Sequence, residues 1–502
     1  MLGRDRRRTW KNHTRNQSVD PVARVRPAEV GQVAELVKQA QEEGLTVRAV
    51  GSGHSWSDVA LAPGYLVDPG GLAAFGELES DVLRDDLDRE HLVRTEAGII
   101  IRDLNGRLHA RGLALKNMGG YDGQTLAGII STATHGSGMS FGPIADAVRS
   151  LDMVVSDGAL VRIEPEDGPT DLDKWRAAGR SYPLEKRDDW FHAAVVSMGC
   201  LGVIHSLMLE VRDDFWLKEV RRLSEWSRVK PDLANLDFLR AQQHYEVYFS
   251  PYRQRGGDDH PCIVTTRDEV IPKPTSKPKG ERGRRNMLVE ALSPLPITPW
   301  IINLIVDWFP RLSPRLLESA IKGLADDEYE NVSYRIFNIG AANYLPAYSA
   351  EIGVPVDERN LHVQAVEKVM EVAERYARYG DIYETSPISL RFVKESPAYM
   401  AMMNGRDTMM IELIQLTRTY GGLELLAAYE EALYELEGRP HWGQINTLSG
   451  GHDLLARMYP RFPDWLAVHD VLNRSGVFAS PFSNRVGITR HELGRSQAVS
   501  AS

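Results

Sequence analysis

A histidine lies inside a short stretch rich in glycine and serine, AVGSGHSWSDVA, at residues 49–60. Gly51 and Gly53 permit backbone angles and close approaches that larger side chains forbid, and successive N–H groups in such a turn form a concavity suited to a phosphate or pyrophosphate. A rigid turn could also hold the imidazole of His54 in place as a nucleophile. The alternative is a tight connection between two elements, in which His54 only hydrogen-bonds within its own loop.

Two further glycine-rich stretches could contribute to the same site. Residues 117–142, NMGGYDGQTLAGIISTATHGSGMSFG, combine glycines with Thr125, His135 and several hydroxyl side chains, which offer hydrogen bonds to a polar ligand. Residues 189–211, DWFHAAVVSMGCLGVIHSLMLEV, predict a helix, a glycine-rich turn and a strand. Three such loops in one region of the chain indicate an extended ligand.

The elements around these loops alternate between helix and strand. Apolar residues recur at helical spacing, and Gly44 follows where a helix would end; they are Val30, Val33, Ala34, Val37 and Ala40. The next segment, LTVRAV, predicts a strand that leads directly into the histidine turn. Residues 150–163, SLDMVVSDGALVRI, predict two strands joined at Asp157-Gly158. The amino-terminal part of the chain therefore predicts an α+β domain with mixed strand patterns.

The composition of the chain argues against several classes of function. The chain has 502 residues, of which 43% are hydrophobic and 25% are charged, as in a soluble globular protein of two or three domains. Its net charge of -10 argues against a nucleic-acid partner, which would require a basic surface. Cys200 and Cys262 form neither a disulfide framework nor a Cys/His metal pattern, so we expect a reducing compartment and no metal site. The first twenty residues lack the apolar segment of a signal peptide, and we expect a cytoplasmic location.

Four stretches, in chain order, resemble a known family. They are VRAVGSGHSWSDVALAPGYLVDPGGL (47–72), TLAGIISTATHGSG (125–138), SLDMVVSDGALVRI (150–163) and VSMGCLGVIHSLMLEV (196–211). Together they resemble the FAD-binding domain of the vanillyl-alcohol-oxidase superfamily. Within that superfamily the chain is most similar to the aldonolactone and alditol oxidases, which include L-gulono-1,4-lactone and D-arabinono-1,4-lactone oxidases.

The resemblance implies an α+β fold with two domains. A PCMH-type FAD-binding domain, built from two subdomains, would span residues 10–212. An α+β cap domain with an antiparallel sheet would span residues 213–445 and close over the flavin. Residues 446–490 would return to the FAD-binding domain, and residues 491–502 would form a disordered tail.

The resemblance also implies that FAD lies across the three glycine-rich loops. His54 occupies the position at which members of this group attach the flavin covalently through its 8α-methyl carbon, although other relatives bind FAD without this bond. That reaction requires a neutral imidazole nitrogen as the nucleophile. The residues expected to contact FAD are Gly51, Ser52, Gly53, His54, Ser55, Thr125, Ala133, His135, Gly136, Ser137, Gly138, Val203 and Ile204.

Two carboxy-terminal motifs resemble the catalytic segments of the family. Arg391, in PISLRFV, would stabilise negative charge that develops on the reduced flavin or on the substrate oxygen. GRPHWGQIN, at residues 438–446, matches a family motif HWGK except that the lysine, which helps to bind and activate the substrate hydroxyl, is Gln444. The glutamate commonly found two residues before the arginine is Ser389. The candidates for another base are His441, Tyr383 and Glu384.

The expected cap domain contains aromatic and apolar segments. HYEVYFSPY (244–252) and VSYRIFNIGAANYL (332–345) predict strands, and residues 357–380 predict a helix. Residues 287–325 are unusually apolar but are interrupted by prolines, so they predict buried cap helices rather than a transmembrane helix. The alternative is that Trp308 and its apolar neighbours contact a membrane surface or admit a lipophilic substrate.

The expected reaction is the oxidation of a CH–OH group by an FAD-dependent oxidoreductase. A hydride would pass from a small-molecule substrate to the flavin, and oxygen or another acceptor would reoxidise it. Because Gln444 and Ser389 remove charge from the site, one alternative is a larger, more apolar substrate such as a lipid or a secondary metabolite. A second alternative is a flavin-binding protein without catalytic activity.

Overall fold

Three main β-sheets organise the chain, two in its amino-terminal part and one in its carboxy-terminal part. The computed structural model describes residues 4–5, 9–280, 306–325, 327–339 and 346–489. Helices and strands are mixed throughout, so the structure confirms the expected α+β class.

The first sheet leads the chain into the histidine turn. Its elements and a neighbouring hairpin are β1 (Arg4–Asp5), β2 (Trp10–Lys11), β3 (Ser18–Val19), β4 (Ala23–Val25), α1 (Val30–Glu42), β5 (Val47–Ala49) and β6 (Tyr65–Val67). The sheet order is β1-β4-β6-β5, in which β4 and β5 run parallel to β6. Helix α1 buries Val33, Leu36, Val37 and Ala40 at helical spacing. The predicted helix and the strand that follows it are therefore confirmed.

The second sheet has six strands and is almost entirely antiparallel. Its elements and their neighbours are β7 (Phe75–Gly76), β8 (Leu92–Glu96), α2 (Ile101–His109), β9 (Leu113–Ala114), α3 (Leu126–Ser131), β10 (Val148–Val154), β11 (Leu160–Glu164), α4 (Leu172–Ala177), β12 (Leu184–Lys186), α5 (Asp188–Val195), β13 (Val203–Glu210) and β14 (Arg212–Asp213). The sheet order is β12-β11-β10-β13-β8-β7, and β9 pairs separately with β14. Strands β10 and β11 confirm the hairpin predicted at Asp157-Gly158.

The third sheet has eight strands, all antiparallel, as expected for the cap. The elements are β15 (Trp216–Glu225), α6 (Trp226–Ala234), α7 (Leu236–Ala241), β16 (Tyr245–Phe249), β17 (Pro261–Glu269), α8 (Ser313–Leu324), β18 (Glu328–Val332), α9 (Ser333–Phe337), β19 (Ala347–Pro355), α10 (Leu361–Gly380), β20 (Ile388–Val393), β21 (Thr408–Leu416), α11 (Gly422–Tyr434) and β22 (Arg439–Pro440). The sheet order is β18-β15-β17-β16-β20-β21-β19-β22.

The two faces of the third sheet differ in polarity. Val247, Leu390 and Ile411 belong to an apolar core that the sheet shares with α10 and α11. Because successive side chains of a strand point to opposite faces, Glu246 and Arg391 lie on the other face, where they are paired in register. This polar face is turned toward the amino-terminal half, since Glu351, on the same face, lies 3.4 Å from His135 of the second glycine-rich loop.

The carboxy-terminal helices and the loops between them contact the amino-terminal half of the chain. They are α12 (Gly451–Met458), α13 (Phe462–Leu472) and α14 (Pro481–Val486). Trp465 of α13 donates its indole N–H to Ala193 O at 3.1 Å. Val47 N in β5 donates to Val477 O at 2.8 Å. The loop between α13 and α14 therefore contacts the sheet that carries the histidine turn.

The structure differs from the sequence prediction in residues 332–345 and describes only part of residues 287–325. Residues 332–345 were predicted as strand, but β18 ends at Val332 and a short helix, α9, follows; residues 340–345 lie outside the described residues. The high β-propensity of the aromatic residues is overridden by their packing between the third sheet and the amino-terminal half of the chain. In the segment 287–325, residues 287–305 lie outside the described residues, and α8 buries Leu317 and Ile321. No helix of the described chain is both long and apolar enough to cross a membrane.

Candidate active site

A cavity lies among the three glycine-rich loops. Its lining comes from within residues 48–60, 124–134 and 198–204, and Pro69 and residues 441–444 complete it. Residues of all three loops therefore line one cavity. The predicted site residues that line the cavity are Gly51, Ser52, Gly53, His54, Ser55, Thr125, Ile204, His441 and Gln444.

The turn that carries His54 requires glycine at two positions. Gly53 has a φ of 68°, which L side chains rarely adopt, and a Cβ atom at Gly51 would overlap the Thr125 side chain. The backbone N–H groups of residues 51–55 donate to no group among the described residues. The turn thus offers a set of backbone donors at the cavity wall, which fits the anionic diphosphate of the expected FAD.

Arg48 lines the same cavity, and sequence reasoning did not identify it. The side chain is buried; Nη1 donates to Met198 O at 2.7 Å and Nη2 to Phe478 O at 3.4 Å. No carboxylate in the described part of the chain forms an ion pair with it. A buried cation without an acidic partner also fits the negative charge of a diphosphate. The available signal was an arginine inside the otherwise apolar strand VRAV.

His54 lies at the cavity wall as a neutral imidazole. Burial, and then the neighbouring His13, lower the pKa of His54 to about 4. The two imidazole rings stack with centroids 4.3 Å apart, and His54 Nε2 lies 3.1 Å from the hydroxyl oxygen of Tyr121. At neutral pH the ring therefore keeps a lone pair, as nucleophilic attack on the 8α-methyl carbon of a flavin requires.

Part of the second glycine-rich loop contacts the cap sheet. Gly138 N donates to Phe392 O at 2.6 Å, and Phe392 N donates to Ser137 Oγ at 3.1 Å. Ser137 Oγ also donates to Tyr245 O. Ser137 and Gly138 therefore join the loop to β16 and β20 instead of lining the cavity, because their polar atoms are used in these contacts. The other predicted FAD contacts that do not line the cavity are Ala133, His135, Gly136 and Val203.

His135, Glu351 and His441 form a buried cluster beside the cavity. One ligand-type atom from each lies within 4.8 Å of the others, and His135 Nε2 is 3.4 Å from Glu351 Oε1. His441 Nδ1 accepts a hydrogen bond from Gly443 N at 3.0 Å, and burial lowers the pKa of His441 to about 4. This donor set is of the kind that can hold a metal ion, and in this structure the Glu351 carboxylate is paired with the His135 ring.

Arg391 lies between two glutamates on the polar face of the third sheet. Its Nε donates to Glu246 Oε1 at 2.7 Å, and its Nη2 lies 3.7 Å from Glu412 Oε2. Burial alone would lower the pKa of Arg391, but Glu246 and Glu412 raise it well above its ordinary value. Ser389 pairs with Glu412 in the register of β20 and β21, with Ser389 Oγ 3.4 Å from Glu412 Oε2. The sequence indicated that Ser389 removes a carboxylate from the site. The structure places the carboxylate of Glu412 directly beside Ser389.

Gln444 offers an unused acceptor at the cavity wall. Its Oε1 is buried and has no hydrogen-bond partner among the described residues. A buried acceptor of this kind fits a ligand that carries hydroxyl groups. The other two candidates for a base lie away from the cavity: the backbone N–H of Glu384 donates to Tyr252 at 2.7 Å, and the Tyr383 ring packs against the Tyr252 ring.

Known proteins are similar to this chain over nearly its whole length. Residues 207–486 match the family described as D-arabinono-1,4-lactone oxidase, and residues 21–164 match the family described as FAD binding domain. The L-gulono-1,4-lactone dehydrogenase of Mycobacterium tuberculosis (strain ATCC 25618 / H37Rv) is 28% identical over 483 residues, which cover 95% of this chain and 98% of that protein. The alditol oxidase of Streptomyces sp. (strain IKD472 / FERM P-14339) is 26% identical over 463 residues, which cover 91% and 94%.

A solved structure described as solvent-stable cholesterol oxidase has the same fold, with a TM-score of 0.75 at 15% identity and coverage of 97% of this chain and 98% of that chain. The fold, the cavity and these relatives define an FAD-dependent oxidoreductase that acts on a CH–OH group. The chain belongs to the D-arabinono-1,4-lactone oxidase family. The resemblance noted in the sequence is therefore confirmed, and the alternative of a non-catalytic flavin-binding protein is not supported.

Proposed function

We propose that the protein holds FAD in the cavity through a covalent bond to His54 and oxidises a hydroxyl-bearing carbon of an aldonolactone or alditol. The backbone donors of residues 51–55 and the guanidinium of Arg48 bind the diphosphate. FAD, when bound, supplies the redox chemistry because it accepts a hydride from carbon. The protein orients the substrate, excludes water and stabilises developing negative charge through Arg391.

The observation that carries the covalent attachment is the neutral His54 imidazole at the cavity wall. Denaturation of the purified protein in acid tests it. Flavin absorbance should remain with the precipitated polypeptide and should be released from the His54→Ala variant. Release of all flavin from the wild-type protein would contradict the covalent bond while leaving FAD binding itself intact.

The substrate class is supported by the relatives named L-gulono-1,4-lactone dehydrogenase and alditol oxidase. Under anaerobic conditions, aldonolactones or alditols should bleach the flavin absorbance, and oxygen or another acceptor should restore it. Bleaching by large hydrophobic alcohols alone would instead favour the alternative of an apolar substrate.

The exposed side chains of Trp308 and Phe309 support a contact of the segment 287–325 with a lipophilic surface. Sedimentation with phospholipid vesicles, lost in a Trp308→Ala/Phe309→Ala variant, would test this contact.

Residues 214–215, between β14 and β15, support a domain boundary close to the expected position at residues 212–213. A cytoplasmic location also stays a proposal, to be tested by cell fractionation.

A further inference from the structure

A ladder of alternating charges crosses the polar face of the third sheet. Arg267 Nε lies 2.8 Å from Glu219 Oε2, and Arg267 Nη2 lies 2.8 Å from Glu246 Oε2. Glu246 then pairs with Arg391 at 2.7 Å, and Arg391 reaches Glu412 at 3.7 Å. Each internal charge of this ladder has an oppositely charged neighbour on both sides. Glu412 lies at its end.

Glu412 is held less tightly than the other carboxylates of the ladder. Its side chain is 19% exposed, whereas that of Glu246 is 4% exposed and receives two short charge-assisted hydrogen bonds. The neighbour of Glu412 on β20 is Ser389, whose short side chain leaves room beside the carboxylate. Glu412 therefore has the access that a group exchanging protons with a ligand needs, and Glu246 does not.

The end of the ladder lies beside the segment that contacts His54. Arg391 Nη2 is 3.6 Å from the position that a Cβ atom of Gly120 would occupy, and the next residue, Tyr121, hydrogen-bonds to His54. On the other side, Glu412 pairs in register with Glu351, which belongs to the cluster beside the cavity. The pair formed by Arg391 and Glu412 therefore lies between the segment that contacts His54, on the Arg391 side, and the residues that flank the cavity, on the Glu412 side.

We propose that Glu412 is the base that takes the hydroxyl proton of the substrate, while Arg391 binds the same oxygen. This inference rests on the proposed function. As the C–H bond breaks, its hydrogen leaves with both bonding electrons to the bound flavin, which is the oxidant. The O–H bond breaks with its electron pair staying on oxygen, the C=O double bond forms, and the proton goes to a carboxylate oxygen of Glu412.

The surroundings of Glu412 make this proton transfer depend on pH. The net shift in the pKa of Glu412 is upward. Burial makes the largest contribution and raises the pKa, and the neighbouring carboxylates Glu351 and Glu246 raise it further. Arg391 and His135 lower it by less. The carboxylate form is the active one, so the rate of flavin reduction should increase as pH rises through the pKa of Glu412.

A Glu412→Gln variant, prepared as the holoenzyme, tests the role of the carboxylate. Anaerobic flavin reduction by an alditol or aldonolactone that reduces the wild-type enzyme should slow by roughly 100-fold or more, and the rise of rate with pH attributed to Glu412 should disappear. Substrate affinity, measured by calorimetry on dithionite-reduced holoenzyme that cannot turn over, should change less than about fivefold because Arg391 still binds the oxygen. Glu412→Asp should recover part of the rate.

Moving the carboxylate across the sheet provides a second test. The double variant Ser389→Glu/Glu412→Ser should reduce its flavin at least about tenfold faster than Glu412→Ser alone, because β20 and β21 present both positions at the same point. Glu424→Gln, an exposed change of the same charge on α11, should behave as wild type.

Three outcomes distinguish the failure of this inference from the failure of the proposed function. If alditols or aldonolactones reduce the wild-type enzyme but Glu412→Gln reacts within about threefold of it, the role of Glu412 is overturned and the proposed function stands. A double variant no faster than Glu412→Ser would also overturn that role. If no such substrate reduces the flavin-loaded wild-type protein, the proposed function fails and this inference fails with it.

Discussion

The hydroxyl of Tyr121 lies 3.1 Å from Nε2 of His54, and the two aromatic rings are tilted with centroids 4.5 Å apart. Because His13 stacks on the same imidazole, the ring is held from two sides, and its Nδ1 has no hydrogen-bond partner within the part of the chain that the structure describes. A fixed orientation of this kind lowers the entropic cost of a reaction at the imidazole.

Tyr121→Phe should slow the attachment of flavin to His54 by roughly tenfold, because the imidazole loses the hydrogen bond that orients it. Acid precipitation at timed intervals after FAD is added to apoprotein would measure the fraction attached. His54→Ala is the zero-attachment control. Attachment at the wild-type rate in Tyr121→Phe would show that stacking on His13 orients the ring alone.

Gly51→Ala should weaken FAD binding by about tenfold or more, because the added Cβ overlaps the Thr125 side chain and must displace the turn. Thr125→Ala in the same chain should restore part of the affinity. Gly106→Ala in α2 is a matched control, since a Cβ there meets nothing within 4 Å. Equilibrium titration of apoprotein with FAD checks the three variants, and equal affinities in all of them would contradict the prediction.

Because of Glu384, the free energy of unfolding of the protein should decrease as pH rises. Its burial raises its pKa to about 8, so the folded protein keeps the proton while the unfolded chain releases it near its ordinary pKa. Relative to Glu384→Gln, the wild-type protein should lose about 3 kcal/mol of unfolding free energy between about pH 5 and pH 8, at about 1.4 kcal/mol per pH unit. Denaturant unfolding of both proteins at several pH values measures this difference. A constant difference would show that Glu384 ionises without penalty.

Arg267→Met should destabilise the fold by about 3–5 kcal/mol, because it leaves Glu219 and Glu246 as buried carboxylates with too few partners. Arg222→Met is the matched control on a neighbouring strand. Its partner is Glu328, and both side chains are about half exposed, at 52% and 46%, so the loss should be under about 1 kcal/mol. Urea unfolding monitored by fluorescence compares the two variants, and similar losses would contradict the distinction.

The sequence predicted the elements whose signals are local. The helical spacing before Gly44 and the Asp157-Gly158 turn gave α1 and the β10-β11 hairpin, because those signals lie within a few residues. The histidine turn was also identified, since its glycines and its resemblance to a family are contiguous in the chain.

The sequence did not predict relationships that depend on strand register. Ser389 indicated that a carboxylate was missing, and Glu412 became relevant only once β21 was aligned with β20. Arg48 likewise became a cavity residue only when Met198 and Phe478 were brought next to it by tertiary packing. The aromatic residues after Val332 were predicted as strand because β-propensity reflects burial as much as backbone preference.

The histidine turn is hydrogen-bonded to residues near the carboxy-terminal end of the chain. Asp58 accepts two hydrogen bonds from Arg485, at 2.6 and 3.0 Å, and Ser57 donates to Trp442 O at 2.6 Å. During synthesis on the ribosome, residue 58 emerges more than four hundred residues before its partner at position 485. The mature prosthetic-group pocket is therefore a late product of translation, and a chain truncated before α14 should leave the ribosome unable to complete it.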